Sequence, residues 1–211
     1  MTDAAFRVVV LVSGSGSNLQ ALLDDQTGYE VVAVVADRSK AAGIERGLRA
    51  NVATVCLPLR HPKDSEARHA WEEVVARVIA AFAPDLVVMA GWMRVMSSRF
   101  VAQFADRMIN QHPALLPSDG AATMPLSDGQ VIPVIRGAHA VRDALMLGLP
   151  VTGCTIHRVT EEVDVGPILA QVRVPILPDD TEASLHERIK QVERPLIVQI
   201  VRELAQGSPA P

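Results

Sequence analysis

Aromatic side chains are scarce in this chain: Phe, Trp and Tyr make up 3% of its 211 residues. Positive charge is short as well, with 20 Lys and Arg against 24 Asp and Glu. A nucleic-acid partner needs a basic footprint for phosphates or an aromatic surface for stacking bases, so both shortages argue against one. A small anion stays within reach, because a helix N-terminus can hold a phosphate on an acidic protein. Cysteine is almost missing too. Cys56 and Cys154 lie in apolar, strand-like surroundings with no Cys or His at ligand spacing, and read as reduced core thiols rather than a disulfide or zinc site. No apolar run approaches membrane-spanning length. The segment Met1 to Arg7 lacks the basic stretch, apolar core and cleavage site of a signal peptide, so a cytoplasmic location without a membrane partner is expected. Internal repeats and low-complexity blocks are absent.

What is abundant is Val, Ala, Leu and Ile, within a hydrophobic share of 49% that suits a parallel sheet buried on both faces. The length fits one large α/β domain better than two ordinary ones. Strand-like Arg7 to Val12, Tyr29 to Ala36, Ala53 to Leu57, Asp85 to Ala90 and Arg107 to Ile109 are separated by helical patterns at Asn18 to Asp24, Gly43 to Ala50 and Glu66 to Ala83. In the last of these, Trp71, Val74, Val75, Val78, Ile79 and Phe82 share one stripe. That alternation predicts right-handed crossovers and a doubly wound, mostly parallel α/β sheet flanked by helices. A helix at Ala138 to Leu147 should end on Gly148. Val151 to His157 and Ile168 to Val174 are joined too briefly for a crossover, so they should pair antiparallel and make the sheet mixed. A final helix from Glu182 to Leu204 should be kinked or interrupted by Pro195. Ser118 to Arg136 is rich in Ser, Asp, Gly and Pro and reads as a long loop, and Ser208 to Pro211 as a frayed tail.

Three groups carry candidate chemistry. Ser13-Gly-Ser-Gly-Ser-Asn18 lies between the first strand and the first helix, where it is either a plain tight turn or a phosphate cradle. It lacks the third glycine of a dinucleotide fingerprint and the Gly-Lys-Ser/Thr of a P-loop, but the carboxyl end of strand one favours the cradle. Asp37 is either a ribose-binding acid or part of an ordinary polar turn with Arg38. Asn110 and His112 are two apart in an extended segment, which puts a carboxamide and an imidazole on one face. His112 competes with His61, His69, His139, His157 and His186, and Asp164 could be a turn former among the solvated Glu161 and Glu162. Taken together, Asn110, His112 and Asp164 suit acyl transfer. Without a G-x-S-x-G elbow, the nucleophile should be external. No residues cluster at metal-ligand spacing.

Four blocks carry a resemblance: Val12-Ser-Gly-Ser-Gly-Ser-Asn-Leu-Gln20, Met89-Ala-Gly-Trp-Met-Arg-Val-Met-Ser97, Asn110-Gln-His-Pro-Ala-Leu-Leu-Pro117, and Val151-Thr-Gly-Cys-Thr-Ile-His157 with Asp164-Val-Gly-Pro167. In this order the chain resembles the phosphoribosylglycinamide formyltransferases, folate-dependent enzymes of de novo purine synthesis, from about Phe6 to Leu204. The resemblance implies a formyltransferase-like Rossmann variant that moves a formyl group from 10-formyltetrahydrofolate to glycinamide ribonucleotide. Its partners would be small molecules, it would need no metal, and it would be a monomer or homodimer. Catalysis would rest on Asn110, His112 and Asp164. Gly16, Ser17 and Asn18 would hold the phosphate, and Glu193 the nucleotide. Arg68, Met93, Arg94, Val95, Met96 and Asn110 would bind folate. Residues 1–211 would form one domain, with a nucleotide-phosphate half at about 6–100 and a catalytic and folate half at about 101–205.

The chain departs from this pattern at 118–136, which resembles an insertion into the aromatic-Pro-Gly-x-His phrase of relatives, replaced here by Ile135-Arg136-Gly137-Ala-His139. A tolerated surface insertion is expected, so that a chain lacking Asp119 to Val134 would retain turnover. The alternatives are another folate-dependent formyltransferase or hydrolase of the same fold, or a non-catalytic nucleotide-binding protein whose folate pocket the insertion occludes.

Overall fold

The computed structural model describes residues 5–127 and 129–207. Five strands come first, β1 (Phe6–Val12), β2 (Tyr29–Ala36), β3 (Ala53–Cys56), β4 (Leu86–Met89) and β5 (Met108–His112). They are connected through helices α1 (Ser17–Asp25), α2 (Gly43–Arg49), α3 (Ser65–Ala81) and α4 (Ser98–Gln103). The hairpin strands β6 (Thr123–Pro125) and β7 (Val131–Pro133) follow, then α5 (Ala140–Met146), β8 (Val151–Arg158), β9 (Ile168–Pro175) and α6 (Glu182–Ala205). The main sheet runs β3-β2-β1-β4-β5-β8-β9. Its first five strands are parallel, and β8 and β9 are antiparallel to their neighbours, so the sheet is doubly wound and mixed, as the hydrophobic pattern predicts.

Both faces of the sheet are buried, and β1 shows why an unbroken apolar run was needed. Val8, Val10 and Val12 point into a core shared with Leu19 and Leu22 of α1 and Leu185, Ile189 and Ile197 of α6. Val9 and Leu11 point the other way, toward Val75 and Ile79 of α3 and Phe100 and Val101 of α4. The period-2 alternation of a strand serves both layers at once. The α3 stripe lands as expected except for Val74, with Val75 and Ile79 buried and Trp71, Val78 and Phe82 packed against that core.

Four expectations change. β5 continues through His112 instead of ending at Ile109, because Asn110, Gln111 and His112 pair with β8. Helix α4 escaped the sequence reading; it is short, and Ser97 caps it by accepting from the Phe100 N–H. Pro195 does not interrupt α6, which holds helical geometry for 24 residues. The missing N–H and ring clash of an interior proline cost about 3 kcal/mol, a loss outweighed here by the buried face of Leu185, Ile189, Leu196, Ile197, Ile200 and Val201. The loop read at Ser118 to Arg136 contains the β6–β7 hairpin, whose Leu126 and Ile132 are buried against Leu115. Excising it would uncover Leu115, so the tolerance expected of a surface insertion does not follow from this packing.

Gly148 adopts φ 60° just past α5, the left-handed cap expected of it. Both cysteines are free, Cys154 buried and Cys56 half-buried. Ser208 to Pro211 lies outside the described residues.

Candidate active site

Strand order reverses between β1 and β4, and open α/β sheets bind ligands outside the carboxyl ends of the strands at such a point. A cavity of about 280 Å³ opens there. Its lining brings together Gly16, Ser17 and Asn18 after β1, Met93, Arg94, Val95 and Met96 after β4, Asn110 and His112 on β5, Asp164 between β8 and β9, and Glu193 on α6. Of the expected site residues only Arg68 stands outside the lining.

The three residues expected to be catalytic meet in this cavity. His112 is 3% exposed, with Nδ1 3.5 Å from Asp164 Oδ2 and Nε2 2.8 Å from the Ile135 carbonyl. That carbonyl can only accept, so Nε2 carries a proton and the neutral ring has its lone pair at Nδ1. Asn110 Nδ2 lies 3.4 Å from Asp164 Oδ1 and 3.2 Å from His157 Nε2, which fixes the amide orientation, because a carboxylate accepts and does not donate. His157 turns Nδ1 toward the Arg158 carbonyl at 2.8 Å. Asp164 also accepts from the Gly137 N–H at 2.9 Å and sits in the left-handed region at φ 56°.

Burial alone would raise the Asp164 pKa. His157, His112 and the Gly137 N–H outweigh it and bring the carboxyl down to about 2. Burial lowers the His112 pKa, with Asp164 and the Ile135 carbonyl opposing and His157 and Arg136 reinforcing. The resting imidazole is therefore biased toward neutrality while the carboxylate stays charged. Gly166 closes the acid's loop where a Cβ would come within 1.9 Å of the Arg158 carbonyl. Gly166→Ala should accordingly cost about 1–3 kcal/mol and displace Asp164, lowering both melting temperature and kcat. A variant with unchanged turnover would show that the loop adjusts freely.

At the opposite end, Gly16 takes φ 68° at the start of α1, and a Cβ there would stand 2.7 Å from Gly43 Cα. The bare turn exposes a helix N-terminus to the cavity. Asn18 Nδ2 donates to Gln111 Oε1 at 3.1 Å and Glu193 Oε2 at 3.3 Å, while Gln111 Nε2 donates to Glu193 Oε1. Asn18 Oδ1 is buried with no hydrogen-bond donor among the described residues. Burial raises the Glu193 pKa to about 7, against lowering by Asn18, Lys190, Arg194 and Gln111.

The third wall is held by side-chain contacts. Trp92 stacks on Trp71 with ring centroids 6.1 Å apart, and its Nε1 donates to the Met96 sulfur at 3.3 Å. Met93 N–H donates to Ser13 Oγ at 2.9 Å. Arg68 donates to the Val95 carbonyl and pairs with buried Glu72 at 3.4 Å, so it braces the wall from behind. Arg94 donates to Asp37 Oδ2 at 2.6 Å. Asp37 is thus a buried ion-pair partner of Arg94, and Arg38 beside it in the polar turn lies 3.9 Å from the same oxygen.

Sequence reasoning missed Gln111, His157, His186 and Lys190. The last two line the cavity with Glu193, and their spacing of four and three residues along α6 was a usable signal. His157 had none, because it reaches Asn110 only through the antiparallel β5–β8 register. No group of His, Cys, Asp and Glu among the described residues could hold a metal ion.

A switch-point cavity lined by an amide, an imidazole and a carboxylate within reach of one another fits an enzyme that transfers a small acyl group. The chain belongs to the formyl transferase family, which it matches over residues 6–201. Over 96% of its length it is 44% identical to phosphoribosylglycinamide formyltransferase of Mycobacterium tuberculosis (strain CDC 1551 / Oshkosh), covering 86% of that protein. It is 35% identical to the Escherichia coli (strain K12) protein of the same name, over 95% of this chain and 87% of that one. Among solved structures, glycinamide ribonucleotide transformylase 1 from Symbiobacterium toebii matches with a TM-score of 0.81 and 35% identity, covering 96% of this chain and 89% of the other.

Proposed function

We propose that this chain transfers the formyl group of 10-formyltetrahydrofolate to the primary amine of glycinamide ribonucleotide, a step of de novo purine synthesis. The observation that carries the reading is one cavity holding the Asn110–His112–Asp164 cluster between the Gly16–Ser17–Asn18 turn and the Met93–Met96 wall. The turn and Glu193 take the phosphoribosyl group, and the apolar wall takes the folate ring. Lys190 adds positive charge on the nucleotide side, next to His186, whose pKa burial and Lys190 lower.

The amine lone pair attacks the formyl carbon, forming a C–N bond and moving the carbonyl π electrons onto oxygen. Asn110 Nδ2 shifts from its 3.4 Å bond with Asp164 to donate to that oxyanion. Neutral His112 takes the proton from the now cationic nitrogen at Nδ1, and Asp164 stabilises the imidazolium. The proton then passes to the folate nitrogen as its bond to the formyl carbon breaks. Tetrahydrofolate and formylated nucleotide leave.

Glycinamide ribonucleotide and 10-formyltetrahydrofolate incubated with the protein should give a product heavier by one formyl group, seen by mass spectrometry. Nucleotide binding without product and without folate binding would instead support a non-catalytic module. Residues 118–136 speak against occlusion: none of those described lines the cavity.

A further inference from the structure

Although residues 118–136 stay out of the cavity, they reach its chemistry from behind. The Ile135 carbonyl accepts from His112 Nε2 at 2.8 Å, and the Gly137 N–H donates to Asp164 Oδ2 at 2.9 Å. Between these two contacts stands Arg136. Its Nη2 donates to the carbonyls of Gly120 at 3.1 Å and Ala121 at 2.9 Å, and its Nε to the Asp164 carbonyl at 3.4 Å. One guanidinium therefore ties the end of the segment to its start and to the loop of Asp164. Planar, multi-donor geometry makes arginine suited to gathering several carbonyls, which lysine's single ammonium does less well.

We propose that Arg136 is a positioning residue for the reaction: by clamping Gly120, Ala121 and Asp164, it holds the flanking Ile135 carbonyl on His112 and the Gly137 N–H on Asp164. The first contact sets the imidazole tautomer that leaves Nδ1 basic; the second orients the carboxylate toward that nitrogen. Ile135 itself is buried with Ala114, Ala140 and Ala144, which anchors its side chain and leaves its carbonyl direction to the clamp. What the imidazole does with its proton rests on the formyl-transfer reading above; the positioning does not.

The test compares wild type with Arg136→Ala, Arg136→Gln and Arg136→Lys. Formyl transfer is followed across pH, and the ring nitrogens of His112 are followed by NMR. Loss of the clamp should lower kcat about ten- to a hundredfold at nearly constant nucleotide KM, since misplacement of about 1 Å at a reacting group has that effect. The His112 Nε2–H signal should broaden or vanish in Arg136→Ala. Asp164, His157 and Arg136 are the charged or titratable groups facing His112; Arg136 lowers its pKa while Asp164 and the Ile135 carbonyl raise it, so loss of the clamp should move the titration away from wild type. Arg136→Lys should keep the titration near wild type and recover part of kcat, while Arg136→Gln keeps one donor group and loses the charge. Should Arg136→Ala fail to fold, the Gln variant carries the same readings. Wild-type kcat and unchanged ring signals would overturn the proposal, as would a lower melting temperature with turnover and titration intact. If wild type makes no formylated product, the functional reading fails alone, and the NMR signals still decide the positioning.

Discussion

His112→Ala should cut kcat by roughly 10²–10⁴-fold, the range expected when a positioned proton-transfer group is lost. Nucleotide binding should survive, because the Gly16–Asn18 turn, Gln111 and Glu193 lie apart from the His112 ring contacts. The substitution also strips the Ile135 carbonyl of its donor, a loss of about 1–3 kcal/mol if nothing replaces it. Melting temperature must therefore be measured beside turnover. Added imidazole should restore part of the rate if the missing group is a proton carrier. The pH profile offers a separate check. Since the neutral ring is the working form, activity should fall as pH drops through the His112 pKa, which burial holds below the ordinary 6.5. In Asp164→Asn the raising influence of the carboxylate disappears, so that acid limb should move to still lower pH while kcat drops. An acid limb that moves upward in Asp164→Asn would contradict these roles.

Glu193→Gln should make the protein more stable and a poorer enzyme at once. Burial at 2% exposure raises the Glu193 pKa from 4.5 to about 7, so the folded state favours the protonated carboxyl. The sign follows: relative to a permanently neutral amide there is no difference below about pH 4.5, and a penalty grows as pH rises through 7. Fully developed, it is on the order of 3 kcal/mol. Thermal unfolding should show the glutamine variant melting roughly 5–10 °C higher at pH 8.5, with the gain vanishing near pH 4.5. The nucleotide KM should rise about five- to tenfold, because a hydrogen bond to a charged acceptor is stronger by about 1 kcal/mol than one to an amide. Folate KM should stay put. Equal stability of the two proteins at pH 8.5 would mean that Lys190, Arg194, Asn18 and Gln111 already compensate the buried charge.

Much of this could be read from residues in a row. The Val-rich β1 and β2, the α3 stripe and the Gly16 turn are local signals, written with periods of 2 and 3.6 or with residues that tolerate positive φ. Asn110 and His112 were legible for the same reason, being two positions apart on one strand. The hairpin at β6–β7 was not, since each strand is only three residues long and two of its four terminal residues are proline.

The amino-acid order by itself determined the strands of the doubly wound sheet, most of its helices and the pairing of Asn110 with His112, because those follow from periodicity and residue chemistry over a few neighbouring positions; Asp164 joined them only through the resemblance of widely spaced blocks. Tertiary structure alone decided how that trio is held. Asn18 finds Gln111 across 93 positions, Asn110 finds His157 and Asp164 across 47 and 54, and Arg136 finds Asp164 across 28. Such pairs share no local pattern. They form because the β5–β8 register and the packing of α1 and α6 carry them within hydrogen-bond reach, where burial makes an unpaired polar group costly.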